Sequence, residues 1–177
     1  MTSTAGLKLR GFVGKRDPLV FPADDDALGM SLFGRVTDAL KKGLPAPAVF
    51  VFYPGQIDRY SMRPLFQASR GIRHRYISAM AGGDQVECVA LLGALKLRRQ
   101  GVVGAHMALS VFLEWPDNRW WSGWQPLDAN RALVGEGPTI RTAVDGSPRP
   151  SGVGGWFAFA RRTGVQLRTH RADTPIH

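Results

Sequence analysis

The sequence predicts an α+β fold with a mostly antiparallel sheet, and three observations carry that expectation. Leu28, Leu32, Phe33, Val36, Ala39 and Leu40 recur at helical spacing and form one apolar stripe. Several short runs of β-branched and aromatic residues have the length and patterning of strands. Finally, 21 glycines and 12 prolines cut the chain into short elements joined by tight turns, which disfavours a helical bundle. At 177 residues with 44% hydrophobic composition, residues 1–177 read as a single domain with its own core.

The elements follow in order. "LKLRGFVG", Leu7 to Gly14, places Leu7, Leu9 and Val13 on one face and Lys8 and Arg10 on the other, with Phe12 falling on the polar face, and reads as a half-buried strand. Asp24, Asp25 and Asp26 supply an N-cap and negative charge for the helix that carries the stripe, while Lys41 and Lys42 suit its C-terminal end and Gly43 stops it. "AVFVFY", Ala48 to Tyr53, reads as a buried strand onto which that helix packs. A short helix is expected over Met62 to Ser69 and a strand over Arg75 to Ala79. Asp84 to Gln100 is expected to be a helix followed by a strand; a strand pair broken at Gly93 is the alternative. Ala105 to Pro116 has the alternation of a long strand, closed by Pro116, Asp117 and Asn118. Arg119 to Pro138 is a long loop or a hairpin, and "TIRTAV" is a short strand. Asp145 to Gly155 is the strongest loop signal, and "WFAFARR" with "VQLRTH" is expected to form a closing hairpin around Thr163 and Gly164.

Charge narrows the function classes. Twenty-three Lys and Arg against 14 Asp and Glu give a net charge of +9 and a pI near 10.6, which points to a polyanionic partner, nucleic acid first. Cys88 is the only cysteine, so an intramolecular disulfide and a zinc site built from paired thiolates are excluded, and a reducing cytoplasm is the expected location. No segment has the charge and apolar pattern of a signal peptide or the length of a bilayer span, so no membrane partner is expected. His74, His106, His170 and His177 lack the spacing and acidic company of a metal site, and neither a phosphate loop nor a G-x-S-x-G elbow is present; no metal and no cofactor is expected.

The basic residues have more structure. Eight Arg or Lys fall from Arg59 to Arg99, interleaved with Tyr60, Phe66, His74 and Tyr76. In "RGIRHRY", Arg70, Arg73 and Arg75 offer guanidinium groups for phosphates while His74 and Tyr76 offer faces on which a base can stack. The bland alternative is a solvated strand edge protected by its charges. Lys96, Arg98, Arg99, Arg161 and Arg162 extend the set of candidate nucleic-acid contacts. Trp115, Trp120, Trp121 and Trp124 lie within ten residues of one another. Such a cluster is either core beneath a long loop or an interface formed by Trp120, Trp121 and Trp124, and one of the neighbours Trp120 and Trp121 is expected to be exposed, because neighbours on a strand face opposite ways.

"FPADDDALGMSLFGRVTDAL" followed by a short strand resembles the N-terminal segment of CRISPR repeat-processing endoribonucleases of the RAMP superfamily, of the type I-F kind. The residues that carry the resemblance are Met30, Ser31, Leu32, Phe33 and Gly34, with Leu7 to Phe12 before them and Val49 to Phe52 after. "SGVGGWFAFARRTG" resembles the family's late Gly-rich segment, with Ser151 matching its serine. The resemblance implies a ferredoxin-like, RAMP-type sheet with packed helices and a Gly-rich loop near the C-terminus. It further implies RNA as the partner, other subunits of a ribonucleoprotein complex alongside it, and metal-independent processing of a CRISPR repeat or similar hairpin. Thr37 stands where the family has its catalytic histidine, and threonine is no base near neutral pH, so the role passes to His74 or His106, with Ser151 orienting the nucleophile. Two other readings remain open: a non-catalytic single-stranded nucleic-acid-binding accessory protein of a mobile element, and a protein-interaction component of a viral or bacterial assembly that uses the Trp-rich loop.

Overall fold

A computed structural model describes residues 15–16, 22–65, 68–98, 105–150 and 152–166. It is an α+β structure. The strands are β1 (Lys15–Arg16), β2 (Ala48–Tyr53), β3 (Gln56–Ser61), β4 (Cys88–Arg98), β5 (Ala105–Glu114), β6 (Trp120–Pro126) and β7 (Thr139–Thr142). The helices are α1 (Asp25–Leu40), α2 (Arg70–Ala81) and α3 (Trp156–Thr163). The strands form one sheet in the order β1-β3-β2-β4-β5-β6-β7, and every pairing is antiparallel.

Both faces of this sheet are covered. Alternation sends Phe50 and Phe52 of β2, Ala90 and Leu92 of β4, Leu109, Val111 and Leu113 of β5 and Trp121 of β6 towards α1, where Leu28, Leu32, Phe33 and Val36 complete a core. The intervening residues Val49, Val51, Val89, Phe112 and Trp120 point the other way, into a second core closed by Ile77 and Met80 of α2 and Trp156 and Phe157 of α3. The expectation that one of Trp120 and Trp121 is exposed is therefore wrong. They do face opposite ways, but helices wait on both sides, and the two side chains are 7% and 1% exposed. Neither is available as an interface residue; Trp124 is half-buried.

The stripe helix forms as expected. Asp24 caps it by accepting from Ala27 N at 2.8 Å, and Gly43 follows it at φ +129°. Its first-turn acids also dock it: the Trp121 indole donates to Asp26 Oδ1 at 2.9 Å, and Arg119 pairs with Asp25. Ala39, placed on the stripe by periodicity, is exposed. β2 runs as expected over Ala48–Tyr53, and β5 and β7 also lie within their expected spans.

Four elements differ from expectation. The strand expected at Arg75 to Ala79 is helix, part of α2, and the helix expected over Met62 to Ser69 is only a 3-10 turn, Arg63–Leu65. The second half of α2 is buried continuously from Ile77 to Ala81, between the sheet and α3, so it carries no one-sided stripe to read. The helix expected in Asp84 to Gln100 is the long strand β4, whose apolar run is continuous because both of its faces are covered. Gly93 does not break it: a Cβ there would lie 2.8 Å from Pro47 Cα, so the glycine admits the chain that leads into β2. "WFAFARR" is α3 rather than half of a hairpin, with glycines at positive φ, Gly155 and Gly164, at its two ends. The strand expected over Leu7 to Gly14, and most of "VQLRTH", lie outside the described residues.

The packing of α1 makes a paired prediction. A Cβ on Gly29 would overlap the Trp121 indole, whereas one on Gly34, five residues on, meets nothing within 4 Å. Gly29→Ala should therefore destabilise the protein by about 1–3 kcal/mol through overpacking. Gly34→Ala should stabilise it by roughly 0.5–1 kcal/mol through helix propensity and unfolded-state entropy. Phe33→Ala, at a site 4% exposed, should cost about 3–5 kcal/mol. Urea titrations of the three variants check all three signs; equal effects of the two alanines would show that α1 does not sit on Trp121.

Candidate nucleic-acid interface

Three segments distant in sequence meet on the α2–α3 side of the sheet. The first turn of α2 brings Arg70, Arg73 and His74 to one side of that helix, since residues three and four apart are neighbours on a helix surface. The loop after β7 brings Arg149, Gly152, Gly154 and Gly155, and α3 brings Phe159 and Arg162. The His74 ring meets the Phe159 ring edge-on at 5.0 Å, and the Arg162 guanidinium lies 5.4 Å from the Phe159 centroid in a cation–π contact. Phe159 is thus shared by an imidazole and a cation. The glycines take positive φ (Gly152 +90°, Gly154 +79°, Gly155 +75°) and leave room for arginines. A Cβ on Gly152 would overlap the Arg70 guanidinium, and one on Gly154 would lie 2.7 Å from the Arg149 side chain.

Glu114, the last residue of β5, fixes this loop from below. Its carboxylate is 0% exposed and sits under the N-terminus of α3, where Oε2 accepts from Trp156 N at 3.2 Å. The free N–H groups of that helix end are thereby satisfied from inside the protein rather than by a side-chain cap, which α3 lacks. Burial raises the Glu114 carboxyl above the ordinary range, opposed by the N–H of Trp156, by Arg149, and by the N–H groups of Gly155 and Phe157. Oε1 has no hydrogen-bond partner among the described residues; Arg149 Nη1 stands 3.6 Å away, too far for a hydrogen bond but close enough to hold the guanidinium over the loop.

The surface above is cationic. His74 is lowered from its ordinary range first by burial and then by Arg149, Arg162 and Arg70, so its neutral form is favoured at neutral pH. Arg70 and Arg162 pair with no carboxylate among the described residues. The first turn of α2 carries no acid, and its Arg70, Arg73 and His74 sit where the helix dipole disfavours positive charge. α1, which starts on three aspartates, shows what an unconstrained start looks like. Local rules broken in this way are expected at functional or strained sites.

The candidate residues divide clearly. Arg70, Arg73, His74 and Arg162 come together. Arg75 is exposed but one position round the helix from His74, and Tyr76 is half-buried against the second core. Arg161 docks α3 instead, donating to Pro116 O at 2.8 Å and Asn118 Oδ1 at 3.3 Å. Lys96 pairs in register with Met107 near the far end of the β4–β5 ribbon, on the face that α1 covers. His106 lies eight residues before Glu114 on β5, roughly 27 Å along the strand at about 3.4 Å per residue, and so does not join His74. Thr37 donates its hydroxyl to Phe33 O at 3.0 Å on α1, so the whole sheet separates it from His74. Arg99, Ser151 and the side chain of Arg98 lie outside the described residues. An open groove of about 620 Å³ on the α1 side mixes Arg35, Lys42 and Arg59 with Asp38 and apolar residues and contains no histidine.

Arg149, Phe159 and Glu114 were missed from sequence. Arg149 stands between two prolines just before the Gly-rich run, and Glu114 is the one acid in the apolar span of β5; both are signals once seen, but neither is close in sequence to "RGIRHRY". Comparison with protein-family models, with curated proteins and with solved structures returns no match.

Glu114 yields a prediction with a definite sign. Because its carboxyl is raised in the fold, the folded state binds more protons than the unfolded chain between the ordinary carboxylate range near 4.5 and the raised value. Stability from this group is therefore lost as pH rises through that window. Glu114→Gln should remove this loss, so that wild type loses stability relative to the variant as pH rises above the ordinary carboxylate range. Urea unfolding between about pH 4 and about pH 8 tests it; a constant difference would show that Glu114 does not titrate there.

Proposed function

We propose that this chain is an RNA-binding protein of RAMP type that holds a CRISPR repeat or a similar RNA hairpin at the α2–α3 surface. The observation that carries the reading is the convergence of Arg70, Arg149 and Arg162 around His74 above a Gly-rich loop, in a chain of net charge +9. The ferredoxin-like part of the proposal rests on the succession β1-α1-β2-β3-α2-β4, the order of a β-α-β-β-α-β unit, and on the Gly-rich loop ahead of the last helix. Its support lies in that succession and in the antiparallel pairing, not in strand order, since β1 lies at the edge beside β3 while β2 lies beside β4, and helices lie on both faces.

Binding is the primary claim, and metal-independent cleavage is subordinate to it. A neutral His74 has the right form to accept a 2′-hydroxyl proton, and the three guanidinium groups have the right charge to stabilise the pentacoordinate phosphorus that would follow. The single-stranded reading keeps one supporting observation, the half-exposed Phe159 ring between His74 and Arg162, which suits a stacked base. The reading that makes the Trp-rich loop an interface loses Trp120 and Trp121 to the core.

Replacing Arg70, Arg149 and Arg162 together by Ala should weaken RNA binding and flatten its dependence on salt, by roughly 0.7–0.9 in the logarithmic slope for each phosphate no longer neutralised. The same change at Arg75 and Lys96 should alter the slope less. Filter binding over a salt series measures both, and an unchanged slope in the triple variant would place the RNA elsewhere. Competition between a hairpin and an unstructured strand of equal length separates the two nucleic-acid readings. Any cleavage should persist in chelator and disappear in His74→Gln with binding retained.

A further inference from the structure

We propose that the Arg70–His74–Arg149–Arg162 cluster is a receptor for a terminal phosphomonoester, the phosphorylated end of an RNA strand, rather than for an internal phosphodiester. The inference rests on the RNA-binding reading and adds to it the chemical group recognised. The Arg70 guanidinium lies against Gly152 and the Arg149 side chain against Gly154, while His74 and Arg162 share the Phe159 ring, so three guanidinium groups and an imidazole border one patch of the surface. An internal phosphate carries one negative charge and is hemmed in by sugar on both sides. A terminal phosphate carries up to two, with three free oxygens, and it matches a patch bordered by several cations.

The surroundings fit a compact, highly charged group. The bare Cα of Gly152 allows the Arg70 guanidinium to lie against the loop backbone, and the Gly154–Gly155 pair does the same for Arg149. Glu114, the carboxylate that neighbours Arg149, is turned inward beneath α3, where it holds the loop and stands 3.6 Å from the Arg149 guanidinium. The end of α3 is therefore already neutralised from within, and the positive charge left for a ligand is that of the arginines and of the first turn of α2. Phe159, flanked by His74 and Arg162, is placed to receive the terminal base beside its phosphate.

The test compares one oligoribonucleotide sequence in three forms, with a 5′-phosphate, with a 3′-phosphate and with hydroxyl groups at both ends, binding to the full chain at fixed salt. At least one phosphorylated form should bind about tenfold or more tightly than the hydroxyl form. The arm that gains identifies which end is recognised. Arg149→Gln and Arg162→Gln should each remove most of that preference, whereas Lys96→Gln should keep it. As a second readout independent of RNA, inorganic phosphate should shift the NMR titration of His74 upward, because an anion beside the ring offsets Arg70, Arg149 and Arg162. Equal affinity for all three forms would overturn the proposal while leaving RNA binding intact. No binding by any form would overturn the RNA reading as well. A His74 titration unmoved by phosphate would overturn the receptor assignment even if binding persisted.

Discussion

A sheet that is apolar on both faces must be covered twice, and the rest of this structure depends on that constraint. Phe50 and Val51, Ala90 and Val89, Trp121 and Trp120 are chain neighbours that belong to different cores. Among the described residues α1 is the helix on one face, tied down by its first-turn aspartates to Trp121 and Arg119. The other face is covered by two helices, α2 and α3, that pack on each other as well as on the sheet. Because α2 and α3 pack on each other, His74 of α2 reaches Phe159 of α3, and the arginines that the two helices carry lie on the same side of the sheet.

Electrostatics gives that meeting its character. Bringing Arg70, Arg149 and Arg162 around one imidazole is unfavourable in the absence of an anion, and part of the compensation is structural: Phe159 takes one guanidinium in a cation–π contact, and the buried Glu114 attracts another. Glu114 has two effects. It satisfies the N-terminus of α3 through Trp156 N, and its buried Oε1 has no hydrogen-bond partner among the described residues, which is a cost the fold bears to keep the loop in place. A carboxylate in so poor a position is better explained by the arrangement it enforces than by the stability it contributes.

The separation of the two faces also bears on mechanism. The helix with the Met30 to Gly34 motif and Thr37 lies on one side of the sheet, and the arginine cluster with His74 lies on the other. In the proposed reading His74 acts without help from Thr37, and the α1 motif contributes packing: Leu32 and Phe33 are core residues and Gly29 lies beneath the Trp121 indole. The charge-bearing surface and the motif-bearing helix are thus two separate features of the chain.

In its sequence alone the protein declares what local chemistry controls. Asp24 to Asp26 and the Leu28 to Val36 stripe specify α1, and "AVFVFY" specifies β2, because a cap, a dipole and a period are all visible within a few residues. The excess of Lys and Arg and the arginines of "RGIRHRY" were legible in the same way. Long-range packing, by contrast, settles which apolar runs are covered on both sides. That is why β4 looked like a helix, the buried half of α2 looked like a strand, and Trp120 and Trp121 could not be told apart by exposure. The site followed the same rule. Arg149, Glu114 and Phe159 join His74 because the second sheet face draws α2, α3 and the end of β5 together, and no spacing along the chain records a contact made across a shared core.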